Sequence, residues 1–303
     1  MRRCTLVWAT ALIAALVTAC SGSAGQQSGE IVVTTNILGD VVRNVVGDAA
    51  DVRVLMQPNA DPHSFGVSAQ DAVAMSSAGL IVFNGLGLEE NVIRNVEGVA
   101  EEGVPTLAVG DHVDPIRYAE GESSGAPDPH FWHDPHRMIA AVDVIEKAIV
   151  RDVEGIDAAA VSRNAEDYRA KLRDLDTTMT AEFKTIPAER RKLVTNHHVR
   201  GYFAQRFGFT VIGAVVPSGT TLAALSASDL DSLVGAIETA RVPAIFVDSS
   251  QPERLARVLA EDADVDVRIV QLYSESLSPP GTAGATYLDM MRANADAIVT
   301  GLR

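Results

Sequence analysis

Residues Asp157 to Lys184 read DAAAVSRNAEDYRAKLRDLDTTMTAEFK. Val161, Tyr168, Leu172, Leu175, Met179 and Phe183 recur there at spacings of three, four or seven, the period of one helix face. At 1.5 Å per residue this helix is roughly 40 Å long, enough to run the height of a two-lobed molecule. Pro187 ends it. A flexible hinge would be written in Gly, Ser and Pro. This connection is stiff instead, and wide lobe closure is not expected.

On either side of the rod, strands alternate with helices. Ile31 to Thr35 reads as a β-branched strand, Ile37 to Val46 as a helix and Val52 to Met56 as a strand. Ser68 to Ser76 is a helix opened by Ser68-Ala69-Gln70-Asp71, a capping-box pattern. Leu80 to Phe83 and Val104 to Ala108 complete four strands. The second half repeats the style, with strands at Lys192 to Thr195, Thr210 to Gly213, Ala244 to Val247 and Val267 to Val270. Such alternation means βα units and a mostly parallel sheet. The expected class is therefore α/β, with two βα lobes at residues 30–156 and 186–303 joined by a linker helix at 157–185.

The N-terminus sets the compartment. Arg2 and Arg3 precede an apolar core, Leu6 to Val17, that is too short for a permanent membrane span. Val17-Thr18-Ala19-Cys20 resembles a bacterial lipobox, which implies cleavage after residue 19 and a diacylglyceryl group on the Cys20 thiol. Residues 20–29 then read as a flexible tether. Cys4 would leave with the signal peptide, so the folded body holds no cysteine, no disulfide framework and no thiolate metal site.

The chain has 25 basic and 40 acidic residues, a net charge of −15. Loss of Arg2 and Arg3 with residues 1–19 takes this to −17. Nucleic acid is excluded as a partner, because phosphate binding needs a basic surface. An acidic surface favours cations weakly and at long range, and it also serves simple solubility.

Any transition-metal site must use His, Asp and Glu. Four segments offer them: Asp61-Pro62-His63, Asp128-Pro129-His130-Phe131-Trp132, Thr195-Asn196-His197-His198 and Tyr273-Ser274-Glu275-Ser276-Leu277. Three imidazoles and one carboxylate suit a borderline-soft divalent cation such as zinc. In open parallel sheets, ligands bind outside the carboxyl ends of strands. His63, His197 and Glu275 each follow a strand, and His130 lies in the loop after the fourth. Scattered surface histidines would not show this bias.

These segments resemble, in order, the bacterial metal-binding solute-binding lipoproteins that deliver zinc or manganese to ABC transporters. The resemblance covers essentially the whole mature chain. It includes Leu80-Ile81-Val82-Phe83-Asn84-Gly85-Leu86-Gly87-Leu88-Glu89, the Asp128 to Pro135 stretch, Gly201-Tyr202-Phe203-Ala204 and Thr286-Tyr287-Leu288-Asp289-Met290-Met291. It implies that His63, His130, His197 and Glu275 are the metal ligands. The cargo it implies is Zn2+, with Mn2+ the alternative. It implies an ABC permease as partner, with a metallochaperone as a further candidate, and a monomer lipid-anchored on the outer face of the cell membrane. Three departures stand out. Glu275 replaces the family's usual Asp, the Asp114 to Pro127 loop lacks the histidine-rich insertion of many zinc-binding members, and His133 stands where an apolar residue is common.

The family register favours His197 over its neighbour His198. His133 and His136 read as surface or helix-start residues, with a second local metal site as the alternative, and His112 reads as solvated. Asp248, at the end of a strand, is expected to accept the free N–H of a ligating imidazole; a strand-end cap is the plain alternative. Gly85-Leu86-Gly87 imitates a dinucleotide fingerprint, but Glu90 occupies the third glycine position, so a tight turn is expected. A secreted zinc hydrolase would need an open metal position and a general base. No H-E-x-x-H is present, so the chain is not read as an enzyme. A surface adhesin without transported ligand is the remaining alternative.

Overall fold

A computed structural model of the chain describes residues 29–119, 123–224, 226–250 and 253–303. The expected signal peptide, Cys20 and residues 20–28 of the tether lie outside the described residues. β1 (Ile31–Val33) is buried on both faces and runs parallel to β2 (Val52–Val54) on one side and β3 (Leu80–Phe83) on the other, with β4 (Thr106–Ala108) beyond β3. A strand buried on both faces has no polar side, and this one is a plain Ile-Val-Val run. Thr34 and Thr35, which the sequence pattern includes in the strand, lie past its end. Thr35 is the N-cap residue of α1 (Asn36–Val46).

The second sheet repeats the plan. β5 (Lys192–His197) pairs in parallel with β6 (Thr210–Val216) and with β7 (Ala244–Asp248), which pairs with β8 (Arg268–Leu272). The strand order is therefore β2-β1-β3-β4 in one lobe and β6-β5-β7-β8 in the other. The connecting helices are α2 (Ala69–Ser76), α3 (Ile93–Glu101), α4 (Pro135–Asp152), α6 (Gly201–Phe207), α7 (Ala227–Ala240), α8 (Arg254–Asp262) and α9 (Tyr287–Leu302), with the linker as α5. The expected capping box opens α2. The Ser68 hydroxyl accepts from Asp71 N, and Asp71 accepts from Ser68 N. Among the described residues no helix is long and apolar enough to cross a membrane.

The rod α5 spans Ala158–Phe183, within one residue of its expected ends at each side. Asp157 caps it, its carboxylate accepting from Ala160 N at 3.0 Å. Val161, Ala165, Tyr168, Leu172, Leu175, Met179 and Phe183 form its buried face. They join one apolar core that also takes in Ile31 and Val33 of β1, Val41 and Val45 of α1, Phe246 of β7 and Ile298 of α9. Two smaller clusters lie on the outer faces of the two sheets. At its far end, Phe183 meets Phe203, Phe207 and Phe209 edge-on, with centroids 5.0 to 5.3 Å away. Such aromatic contacts add to simple area burial. The helix is therefore embedded in both lobes along its length.

Polar bonds close the seam between the lobes. Asn36 Nδ2 donates to Ser276 Oγ at 2.7 Å, and Leu277 N donates to Asn36 Oδ1 at 2.9 Å. Tyr287 OH donates to Trp132 O at 2.7 Å, and Thr221 Oγ1 to Asp61 Oδ2 at 2.6 Å. Gly85, Leu86 and Gly87 all have positive φ, at 77°, 57° and 84°. The turn they make is held from inside by Glu89, whose carboxylate accepts from Asn84 N and Gly85 N. This is the tight turn expected of Gly85-Leu86-Gly87.

Candidate metal centre

His63, His130, His197 and Glu275 meet at the seam, although 212 positions separate the first from the last. One ligand atom of each lies within 4.8 Å of all the others. His63 and His130 come from the first lobe, His197 and Glu275 from the second. His197 is the last residue of β5 itself, which runs two residues past the Thr195 end that the sequence pattern gives it. All four side chains are essentially excluded from solvent.

The separations are those of a small cage. His63 Nε2 and His130 Nε2 are 3.4 Å apart. Glu275 Oε1 lies 3.4 Å from His197 Nε2 and 3.6 Å from His130 Nε2, while Oε2 lies 3.6 Å from His63 Nε2. Four tetrahedral donors at about 2.0–2.1 Å from a central ion are about 3.3–3.4 Å from one another. His197 Nε2 and both Glu275 oxygens have no hydrogen-bond partner, although they are buried. Buried polar atoms are rarely left this way, because each loses its hydration without compensation. A cation at the centre would satisfy them together.

Burial also sets the protonation. It pushes the His63 imidazole down to about 2, with the neighbouring His130 and His197 adding to the shift. His197 is held down at about 4 by burial, against the attraction of Asp248, Asp61 and Asp128. The Glu275 carboxyl is pushed up to about 8, first by burial. His63 and His197 are thus neutral at pH 7 and available as ligands.

Each donor is held by a second layer. Asp128 Oδ1 accepts from His130 N at 2.9 Å and lies 2.8 Å from Nδ1. That arrangement places the ring proton on Nδ1 and turns the Nε2 lone pair to the cage. The Tyr118 hydroxyl lies 3.1 Å from the same Nδ1. Asp61 Oδ1 accepts from His63 N at 2.9 Å. The sequence carries this device twice, as Asp-Pro-His at 61–63 and at 128–130, and the repeat is the signal that could have identified Asp128 as the orienting carboxylate.

Asp248 was expected in that role and has another. It is buried, and its Oδ2 accepts from Ser274 N at 2.7 Å and from Glu275 N at 3.0 Å. It fixes the backbone that presents Glu275 and bonds no imidazole. His133 also differs from expectation. It is fully buried under the site, with Nδ1 3.0 Å from Arg200 Nη1. His136 and His112 are exposed, and His136 N is bonded by the Asp134 cap of α4. His198 is half-buried outside the cage, its N–H donating to Ser218 O at 2.9 Å.

A closed donor cage between two lobes on a rigid spine suits holding a metal, not turning over a substrate. The architecture is that of the substrate-binding component of metal ABC transporters, an extracytoplasmic class and not an enzymatic one. The chain belongs to the family described as zinc-uptake complex component A, periplasmic, which it matches over residues 31–301. It is 30% identical to the manganese ABC transporter substrate-binding lipoprotein PsaA of Streptococcus anginosus, over 96% of this chain and 95% of that one. It is 28% identical to the zinc-binding protein TroA of Treponema pallidum, over 99% and 98% of the two chains. The solved structure of that periplasmic zinc-binding protein superimposes with a TM-score of 0.82, covering 91% of this chain and 99% of its own. A manganese-bound periplasmic metal-binding protein of Candidatus Liberibacter asiaticus gives 0.79 at 25% identity, covering 90% and 99%.

Proposed function

We propose that the protein captures zinc outside the cytoplasm and hands it, as a monomer, to an ABC permease for import. The observation that carries this reading is the donor set, three imidazoles and one carboxylate at near-tetrahedral separations. Nitrogen-rich tetrahedral sites favour zinc, whereas manganese takes more oxygen ligands and a larger coordination number. The test is a competition titration on untagged protein stripped of metal. Zinc is expected to displace manganese completely, with one metal bound per chain. Retention of manganese against equimolar zinc would overturn the assignment.

One observation favours manganese as a second reading. Both oxygens of Glu275 face the cage, each about as far from an imidazole nitrogen as the other. A bidentate carboxylate would bring the donors to five and admit an ion that prefers oxygen. The relatives' names divide in the same way, between manganese and zinc.

The proposal extends to the anchor. Residues 1–19 act as the signal peptide, Cys20 takes the lipid and residues 20–29 tether lobes at 30–156 and 186–303, joined by the linker at 157–185. Several relatives are named as lipoproteins. A diacyl anchor holds a protein stably where a single chain does not. Cys20→Ala is expected to release the protein from membranes or leave it unprocessed. Membrane fractionation and N-terminal cleavage identical to wild type would remove the anchor from the proposal.

A further inference from the structure

His133, fully buried, forms part of a clasp beneath the cage. Arg200 Nη1 lies 3.0 Å from His133 Nδ1, and Nη2 donates to Ser274 Oγ at 2.8 Å. Its guanidinium carbon stands 5.8 Å from the centre of the Phe203 ring. Only 2% of Arg200 is exposed. Both hydrogen-bond partners are neutral, since burial and the Arg200 charge keep His133 unprotonated. Among the described residues Arg200 makes no salt bridge, and its Nε and His133 Nε2 have no hydrogen-bond partner.

A buried cation without a contacting counter-ion is costly, and the fold keeps one here. The carboxylates that act on it are Asp248 and Glu275. The clasp copies the ligand set one layer down. His133 follows His130 by three residues, Arg200 follows His197 by three, and Ser274 immediately precedes Glu275. Arg200 thereby ties the segment bearing Glu275 to both lobes. Ser274 is gripped at three points: its N–H by Asp248, its carbonyl by Trp132 Nε1 at 2.8 Å, and its hydroxyl by Arg200.

We propose that Arg200, clasped between His133 and Ser274, is a positioning residue that fixes Glu275 as the fourth donor and so sets the metal affinity. The inference rests on the metal-carrier reading. Its test is a double-mutant cycle of Arg200→Met with Glu275→Gln. Zinc affinity is read by chelator competition, and the ligand field by the visible spectrum of the cobalt(II) form. Each single variant is expected to lose about tenfold or more in affinity. If Arg200 acts through Glu275, the double variant matches Glu275→Gln within about twofold. The cobalt spectrum of Arg200→Met then moves onto that of Glu275→Gln. Losses that multiply, or a wild-type cobalt spectrum in Arg200→Met, would overturn the clasp and leave the carrier reading standing. If the wild type takes up neither zinc nor cobalt, the carrier reading fails and the clasp with it. Ser274→Ala removes only the hydroxyl that Arg200 bonds. It carries the same cycle, with the same expected coupling to Glu275→Gln, should Arg200→Met not fold.

Discussion

On the proposed assignment, His63→Ala or His130→Ala is expected to lower zinc affinity by at least about tenfold, since each would remove a direct bond to the ion. The loss does not end with that bond. His63 Nε2 stands 3.6 Å from Glu275 Oε2, and His130 Nε2 stands 3.6 Å from Oε1. Without either ring the buried carboxylate faces a cavity on one side, and the cage is left with three protein donors. His136→Ala is the control, because that ring lies exposed at the start of α4. It is expected to bind as wild type does. Metal content of untagged protein and chelator competition are the measurements. Unchanged stoichiometry and affinity in both His63→Ala and His130→Ala would remove the assignment of the site.

The second large effect is on pH. A count of three histidines with unperturbed values near 6.5 predicts a steep loss of affinity below about pH 6. Burial rearranges this. His63 and His197 are held down at about 2 and about 4, so protons do not compete for those rings until well into the acid range. Glu275 is pushed up to about 8, so its carboxyl carries a proton in the metal-free protein below that pH. The metal must displace this proton to use the carboxylate as a ligand. Metal binding therefore releases this proton, and its displacement alone lowers apparent affinity about tenfold per pH unit below about pH 8. A second, steeper stage begins as pH approaches about 4 and His197 takes a proton. Zinc titrations from pH 9 to pH 5 in two buffers of different ionisation enthalpy give both slope and proton count. A flat profile between pH 8 and pH 6 would contradict the raised carboxyl, and Glu275→Gln should produce that flat profile.

What could be read from the sequence followed from local pattern. The rod at Ala158–Phe183 is fixed by a repeat on one face and a capping Asp157, both within reach of a single helix. The eight strands among the described residues are short, β-branched or apolar runs between turn signals. Their ends move by a residue or more because neighbours decide them: Thr35 lies past β1 at the start of α1, and β5 runs on to His197 because β6 pairs with it as far as Val216. The four cage residues were legible as residues that follow strands in parallel sheets. What was not legible was partner choice. His133 reads as a surface residue because its hydrogen-bond partner, Arg200, is 67 positions away in the other lobe. Asp248 reads as an imidazole acceptor because nothing local says that its oxygens meet the Ser274 and Glu275 backbone instead. Long-range pairing of polar groups leaves little periodic trace.

The core shared along α5, together with the bonds across the seam, bears on where entropy is lost. Four donors from distant parts of the chain must be brought to one point, which is disfavoured in any flexible arrangement. Here that ordering happens as the protein folds, because Ile31, Tyr168 and Phe246 cannot reach their places in one core without bringing the two sheet edges together. On the proposed assignment an incoming ion would find its ligands assembled, with little of its binding free energy diverted into immobilising them. The same economy runs against unloading. A site that needs no rearrangement to fill gives no recoil to help it empty, so the work of extracting the ion falls to whatever docks against the two lobes.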